Sequence, residues 1–373
     1  MSDDVRYGIV GTGMMGVEHL LNVDALDGAR VTALCDTNEH SLARASALAP
    51  SAAVFRRIED MLAADWCDAI VVATPNHTHV DVLRPVLATG LPVLIEKPLC
   101  TTVADCEVVL ELANGHPGPI WMGLEYRYMA PVARLIDHVR AGNVGAVRMV
   151  AIREHRFPFL QKVDNWNRFN RNTGGTLVEK CCHFFDLMNL LTGDRAVRVF
   201  ASGGQAVNHL DEWYGGERSD VLDHAVVVVE YDSGTVATLD LCMFAEGSEN
   251  QEEVSVVGDR GKVEAFLPSG VFRIGHRDRH RAGEVDTTVV TPDVPYLGEH
   301  HGSSFVEHRR FLDAIRNRTS PEVTLVDGLR SVAIGVAAHR SIELGGPVEL
   351  IDVLAPPPAI GVAGTSADRR AAL

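Results

Sequence analysis

Through the first 120 residues, short apolar runs alternate with segments of helical periodicity. The runs "VRYGIVG", "RVTALCD", "AAVF", "DAIVVATP" and "LPVLIEKP" predict strands, and "MMGVEHLLNVDAL" and "VDVLRPVLATG" predict helices between them. That βαβ rhythm implies a doubly wound parallel sheet, a fold that binds ligands at the carboxyl ends of its strands. From about Ala146 the texture changes to longer β-branched runs, among them "AVRMVAIREHR", "AVRVFASGG", "HAVVVVEYDSGTVATLDLCMF" and "EEVSVVGDRGKVEAF". Asp232-Ser233-Gly234 and Gly258-Asp259-Arg260-Gly261 read as hairpin turns. Such a meander predicts an open antiparallel sheet with one apolar face covered by helices or by another subunit. Two helical stretches close the pattern, "SSFVEHRRFLDAIRNR" and "DGLRSVAIGVAAHRSIELG", the second with Asp327 as its expected N-cap and Gly345-Gly346 as its stop. The fold class expected is therefore α/β followed by α+β.

Composition narrows the function. A chain of 373 residues with 46% hydrophobic content can bury a sizeable core and suggests two domains. Its formal charge of -16 repels phosphate at long range, which argues against nucleic acid or an anionic membrane as partner. The seven cysteines are scattered with no C-x-x-C pair, so neither a disulfide framework nor a zinc site is indicated. "MSDDVRYGIVG" carries two acids and enters a strand at once, and no apolar run reaches about 18 residues, so a cytoplasmic protein is expected.

Three motifs carry chemistry. In "GIVGTGMMG" the glycines Gly11, Gly13 and Gly16, with Thr12, Met14 and Met15 between them, form G-x-G-x-x-G between a strand and a helix, a turn through which backbone can approach a pyrophosphate. Asp36 ends the second strand about 20 residues on, where a carboxylate can accept from ribose hydroxyls and repel a 2′-phosphate. Thr37 and Asn38 follow it instead of an arginine, which favours NAD over NADP. Thr74, Pro75 and Asn76, with His79, close the fourth strand at the same edge; His77 and His79 also have the spacing of a metal pair, against which Asn76 or Thr78 reads as a helix cap.

Glu96-Lys97-Pro98 ends an apolar run with two charges. Pro98 stops the ladder, so Lys97 stands at the carboxyl edge, where an ammonium can stabilise a developing alkoxide. Adjacent strand residues face opposite sides, which makes a Glu96–Lys97 surface pair a poor alternative. In "NTGGTLVEKCCHFFDLMNLLTG", a helix apolar nearly all round, Glu179, His183 and Asp186 fall at about 0°, about 40° and about −20°, one polar stripe that needs polar company. His183 can act as a general base near neutral pH with Glu179 polarising it. Asp186 can orient a neighbour or bind a substrate hydroxyl, with a structural ion pair as its competing reading, and the competing reading of Glu179 is a T-x-x-E capping box with Thr176. Cys181 and Cys182 read as core residues. "LEYRYMAP" and "REHRFPFLQKVDNWNR" mix side chains that bond hydroxyls and stack on sugar rings, so Arg153, Arg156 and Trp166 are candidate substrate contacts, with His300-His301 within possible reach of the pocket.

"GIVGTGMMG", "VVATPNHTH" and "IEKPL", in this order and spacing, resemble the Gfo/Idh/MocA family of oxidoreductases, typified by glucose-fructose oxidoreductase and inositol dehydrogenase, over nearly the whole chain. The resemblance implies a Rossmann domain followed by an open antiparallel sheet, a Lys97 that contacts nicotinamide ribose and substrate beside Glu96, and an Arg127 that contacts cofactor or substrate. It implies homodimers or homotetramers formed through the C-terminal sheet. The family pattern of G-G, an acid, then histidine four residues later is also similar, with Glu179 standing where aspartate is usual. The organisation expected is a dinucleotide-binding domain over residues 1–125, a substrate-binding and oligomerisation domain over 126–354, and a mobile Pro-, Ala- and Gly-rich tail over 355–373. The function expected is NAD-dependent oxidation of a secondary hydroxyl of a sugar, inositol or related polyol by His183, Lys97 and Glu179. The alternatives are a glycosidase in which bound NAD oxidises C3 transiently, and a non-catalytic nucleotide-binding regulator.

Overall fold

The protein is described by a computed structural model covering residues 4–278, 280 and 283–354. The tail expected at residues 355–373 lies outside the described residues. The predicted strands form where each apolar run can be buried on both faces: β1 (Val5–Val10), β2 (Ala29–Cys35), β3 (Ala53–Phe55), β4 (Ala69–Val72), β5 (Val93–Glu96) and β6 (Ile120–Gly123) make one parallel sheet in the order β3-β2-β1-β4-β5-β6. All four residues of β4, β5 and β6 are buried, the continuous apolar character expected of central parallel strands. The strand order reverses between β1 and β4, which opens a crevice at their carboxyl ends.

The second sheet has nine strands. They are β7 (Val147–His155), β8 (Ala196–Gly204), β11 (His224–Tyr231), β12 (Val236–Cys242), β13 (Glu252–Gly258), β14 (Gly261–Leu267), β15 (Val271–His276), β16 (Val285–Val289) and β17 (Val348–Glu349), with β9 (Trp213–Tyr214) and β10 (Glu217–Arg218) forming a separate hairpin. The order is β16-β15-β14-β13-β7-β12-β11-β8-β17, antiparallel except where β7 runs parallel to β12. Both expected hairpin turns are present, joining β11 to β12 and β13 to β14. Alternate residues of β7, β11 and β13 are buried under the helices Ala130–Arg140, Cys182–Thr192 and Leu325–Leu344, so period-2 patterning gives the sheet one dry face. The opposite face carries Met149, Phe200 and Val226, each about half exposed.

Two helix boundaries differ from expectation. The long C-terminal helix starts one turn before Asp327: Thr324 is its N-cap, and Asp327 completes a reciprocal capping box from the third helical position. The helix expected from Thr176 to Thr192 is broken into Thr176–Glu179 and Cys182–Thr192. Gly175, not Thr176, stands at the first N-cap, and the Thr176 hydroxyl donates to the Leu222 carbonyl, so the T-x-x-E capping box does not form.

Candidate active site

A cavity of about 470 Å³ runs along the carboxyl ends of β1, β2, β4 and β5. The glycine turn forms its floor for steric reasons. Gly11 has φ +88°, and a Cβ there would meet the Ala73 carbonyl oxygen at 2.5 Å; a Cβ on Gly16 would lie 1.9 Å from the Gly11 oxygen. Gly13 instead faces open space, with nothing within 4 Å of the position its Cβ would take. This is a cradle in which two glycines close the turn and the third leaves room for a ligand's backbone-bound phosphates at a helix start. A dinucleotide fits these residues.

The structure brings most of the sequence-predicted cofactor residues to this cleft. Gly11, Gly13, Met14 and Met15 line it from the turn, Asp36 and Thr37 from the end of β2, Thr74, Pro75 and Asn76 from the end of β4, and Glu96 and Lys97 from the end of β5. Thr12 and Gly16 are buried beneath the turn. One Asp36 oxygen accepts from the Thr12 amide at 2.6 Å and hydroxyl at 3.0 Å, the other from the Asn38 amide at 2.8 Å, which fixes the carboxylate at the adenosine end. Trp166 closes the cleft from the far side together with Gln161, Lys162, Val163 and Asp164, a covering segment that sequence patterning does not place.

Four predicted site residues lie elsewhere. His79 is buried, its ring nitrogens 3.0 Å from the Leu99 carbonyl and 3.1 Å from the Thr74 carbonyl, so it ties two loops together, while His77 is exposed at the cleft; the two do not form a pair. Arg153 projects from the outer face of β7, on the side opposite Ile152 and Glu154, and pairs with Glu253 on the neighbouring strand. Arg127 is turned away from the cleft: its guanidinium grips both oxygens of Asp186 and reaches Asp327 at 3.5 Å. Asp186 thus takes the ion-pair role, and the Glu179–His183–Asp186 stripe splits at the helix break.

Lys97 and His183 do converge. The Lys97 Nζ lies 3.4 Å from the Glu179 carbonyl oxygen at the break. Burial opposes its charge, but the neighbouring acids, Glu96 and Glu179 among them, outweigh it and raise the ammonium above its ordinary range. Lys97 is therefore a cation. His183 is held the other way: burial first, then the charges of Lys97 and Lys180, lower it well below its usual value, so the imidazole is neutral. Its ring stacks on Tyr126 with centroids 4.0 Å apart and 8° between planes. The Tyr126 hydroxyl accepts from Lys180 Nζ at 2.7 Å, and Lys180 also pairs with the buried Glu154 at 2.9 Å, so the stacking platform is itself anchored. Glu179 accepts from Lys162 Nζ at 2.9 Å, which draws the covering segment toward the break; its second oxygen is buried with no protein partner.

Behind Lys97, burial pushes the Glu96 carboxyl up, but the His19 hydrogen bond at 2.9 Å and the Lys97 charge prevail and bring it down to about 2. His19 in turn meets His308 at 2.8 Å. Glu125, Tyr126, Lys180 and Glu154 were not singled out as site residues from sequence. Each carries a signal, however: a polar group set inside an apolar run, as in "WMGLEYRYM" and "LVEKCCHFF".

Comparison with known proteins agrees with this arrangement. Residues 5–124 match the family described as "Oxidoreductase family, NAD-binding Rossmann fold", and residues 136–350 match its C-terminal alpha/beta domain. The chain belongs to the Gfo/Idh/MocA oxidoreductase family. It is an NAD-dependent oxidoreductase acting on CH–OH groups, as expected from the glycine turn and the E-K-P motif. A myo-inositol 2-dehydrogenase of Thermotoga maritima is 24% identical over 360 residues, 94% of this chain and 100% of its own. An inositol 2-dehydrogenase of Leifsonia xyli is 32% identical over 275 residues, covering 73% of each chain. Among solved structures, an oxidoreductase domain protein from Kribbella flavida superposes with a TM-score of 0.82 at 21% identity over 94% of this chain and 100% of that one. Levoglucosan dehydrogenase in complex with NADH gives 0.81 at 18% identity over 93% and 99%. Among the described residues no helix is long and apolar enough to cross a membrane.

Two substitutions test these placements. Gly13→Ala is expected to leave thermal stability unchanged and weaken NAD binding, read by calorimetric titration, by about tenfold, or ~1.4 kcal/mol. Unchanged affinity would remove Gly13 from the phosphate cradle. Asp186→Ala, which leaves the Arg127 guanidinium with only Asp327 and the Glu322 carbonyl nearby, is expected to lower stability in urea unfolding by about 3 kcal/mol while leaving NAD affinity intact. A loss of NAD affinity without destabilisation would return the pair to the cofactor site.

Proposed function

We propose that the chain is a dehydrogenase that oxidises a secondary hydroxyl of a sugar, inositol or related polyol to a ketone. The observation that carries this reading is the convergence of Lys97, which lines the cleft at the carboxyl end of β5, with His183, which stacks on Tyr126 from the helix Cys182–Thr192, burial and the ammonium lowering the imidazole. The relatives point the same way, since several are named inositol 2-dehydrogenases and one fold neighbour was solved with NADH and levoglucosan.

When bound, the nicotinamide ring supplies a centre that accepts a hydride from the carbinol carbon. The chain supplies the rest. His183, neutral and stacked flat on Tyr126, accepts the hydroxyl proton; Lys97 holds the oxygen while negative charge develops on it, in a site where burial strengthens the interaction. Glu179 supports the pair by holding Lys162 and with it the segment that covers the cleft. The remaining charges near the ring, Lys180, Arg156, Glu154 and Glu252, pair among themselves and leave no surplus cation, which suits a neutral polyol. Trp166, which lines the cleft, and Arg156 are the substrate contacts this reading assigns. The segment 1–125 carries the cofactor, and 126–354 contributes the base and the cover. The half-exposed Met149, Phe200 and Val226 on the outer sheet face favour a homodimer or homotetramer through that sheet.

The test is NADH formation from a panel of inositols, hexoses, sugar acids and glycosides. Lys97→Ala is expected to lower kcat by about 10²- to 10³-fold with NAD affinity retained. Because the His183 pKa is depressed, its base form persists at and above neutrality, so kcat/KM should show no acid limb at the ordinary histidine value of about 6.5. Glycoside cleavage without NADH accumulation, or full activity in Lys97→Ala, would contradict the proposal.

A further inference from the structure

Glu125 follows β6 in the turn Glu125–Tyr128, and among the described residues it is a buried carboxyl, 1% exposed, with neither oxygen hydrogen-bonded. Buried carboxyl groups left bare are costly, so this one is held in place for something it meets during turnover. What it faces is specific. One oxygen lies 3.8 Å from His183 Nε2 and 3.7 Å from His300 Nδ1, distances that a small side-chain rotation closes to hydrogen bonds. His183 Nδ1 has no partner of its own. His300, on the loop before the helix Ser303–Asn317, is one-fifth exposed and has the Ser304 hydroxyl 3.3 Å from the same Nδ1, so it reaches solvent where Glu125 and His183 do not.

We propose that Glu125 is a positioning and proton-relay residue that takes the proton from His183 and passes it through His300 to solvent. The proposal rests on the dehydrogenase reading and deepens it. In alcohol oxidation the carbinol C–H pair leaves as hydride and the hydroxyl proton moves to His183. Without an outlet that proton stays in a site already holding Lys97 and Lys180. Transfer to the Glu125 carboxylate breaks the N–H bond on His183 and forms an O–H bond on Glu125, and transfer onward to His300 restores the carboxylate. No reactant is needed beyond the alcohol and the NAD that would take the hydride. In ketone reduction the same steps run backwards and deliver a proton from solvent.

The surroundings set the pH at which this works. Glu125 faces Glu96 and Lys97 from the end of β5, Lys180, Cys182 and His183 from the broken helix, Tyr126 on its own turn, His300 from the loop, and Glu307 from the following helix. Burial and then the Glu96 charge push its carboxyl up to about 8, against the pull of Lys97 and Lys180. Below that pH the carboxyl is protonated and cannot receive the His183 proton; above it the carboxylate is free to. Burial lowers His300 to about 3, so it carries a proton only in passing.

The experiment compares wild type, Glu125→Gln and Glu125→Asp. In infrared difference spectra of the whole protein, a protonated-carboxyl band titrating near about 8 should be present in wild type and absent from Glu125→Gln. With the best polyol, wild-type kcat/KM for oxidation should rise through about the same pH, and the reverse reduction should fall there. Glu125→Gln should lose both limbs and about 10- to 100-fold in kcat with KM and NAD affinity little changed, and Glu125→Asp should recover part of the rate and the limb. An intact limb in Glu125→Gln, or the absence of the band from wild type, overturns the relay while the dehydrogenase stands. Wild type inert toward every polyol overturns the dehydrogenase reading and the relay with it.

Discussion

A buried ammonium is the constraint from which the site follows. Lys97 comes off the end of β5 into the interior, and an unpaired cation there would lose its proton. Its charge is supported by Glu96 from its own strand and Glu179 from the helix break, and by Glu125 from the turn after β6 once that carboxyl ionises. Each then needs its own solution. Glu96 is held ionised by His19, Glu179 pairs with Lys162, and Glu125 is left bare. Because these groups come from both sheets' connections, the charge on one lysine ties the cofactor half of the molecule to the half that carries His183.

The same cation makes His183 useful. A histidine beside Lys97 and Lys180 pays for protonation twice, once by desolvation and once by repulsion, so it rests as the free base. Its orientation is set by stacking on Tyr126, and Tyr126 is fixed by Lys180 and Glu154. The ordinary values of histidine and lysine already set base and cation apart near neutrality, and their surroundings widen the gap by lowering His183 and raising Lys97.

How much of this the sequence reveals depends on whether the information is local. The glycine turn, Asp36 and the E-K-P strand end are each encoded within a few contiguous residues by backbone geometry or periodicity, and the fold brings all three to one cleft. Glu125, Lys180, Glu154 and His300 come from four separate segments, and only tertiary packing shows that they surround one ring. The orientation of Arg153 was readable, since Val150, Ile152 and Glu154 alternate onto the buried face of β7 and leave Arg153 outside. The fate of Asp186 was not: the stripe assumed one continuous helix, and the break after Glu179 turns Asp186 toward Arg127. His79 matched a ligand-edge position in sequence, yet two carbonyls reached only in the folded chain claim its ring.

The most direct test of the account is nitrogen NMR of His183 and Lys97 in the free protein, followed from about pH 6 to about pH 9. The account predicts imidazole signals of a neutral ring that do not titrate across this range, beside an ammonium at Lys97 that stays protonated. A His183 that titrates at or above its ordinary value, or a Lys97 that loses its proton near neutrality, would contradict it.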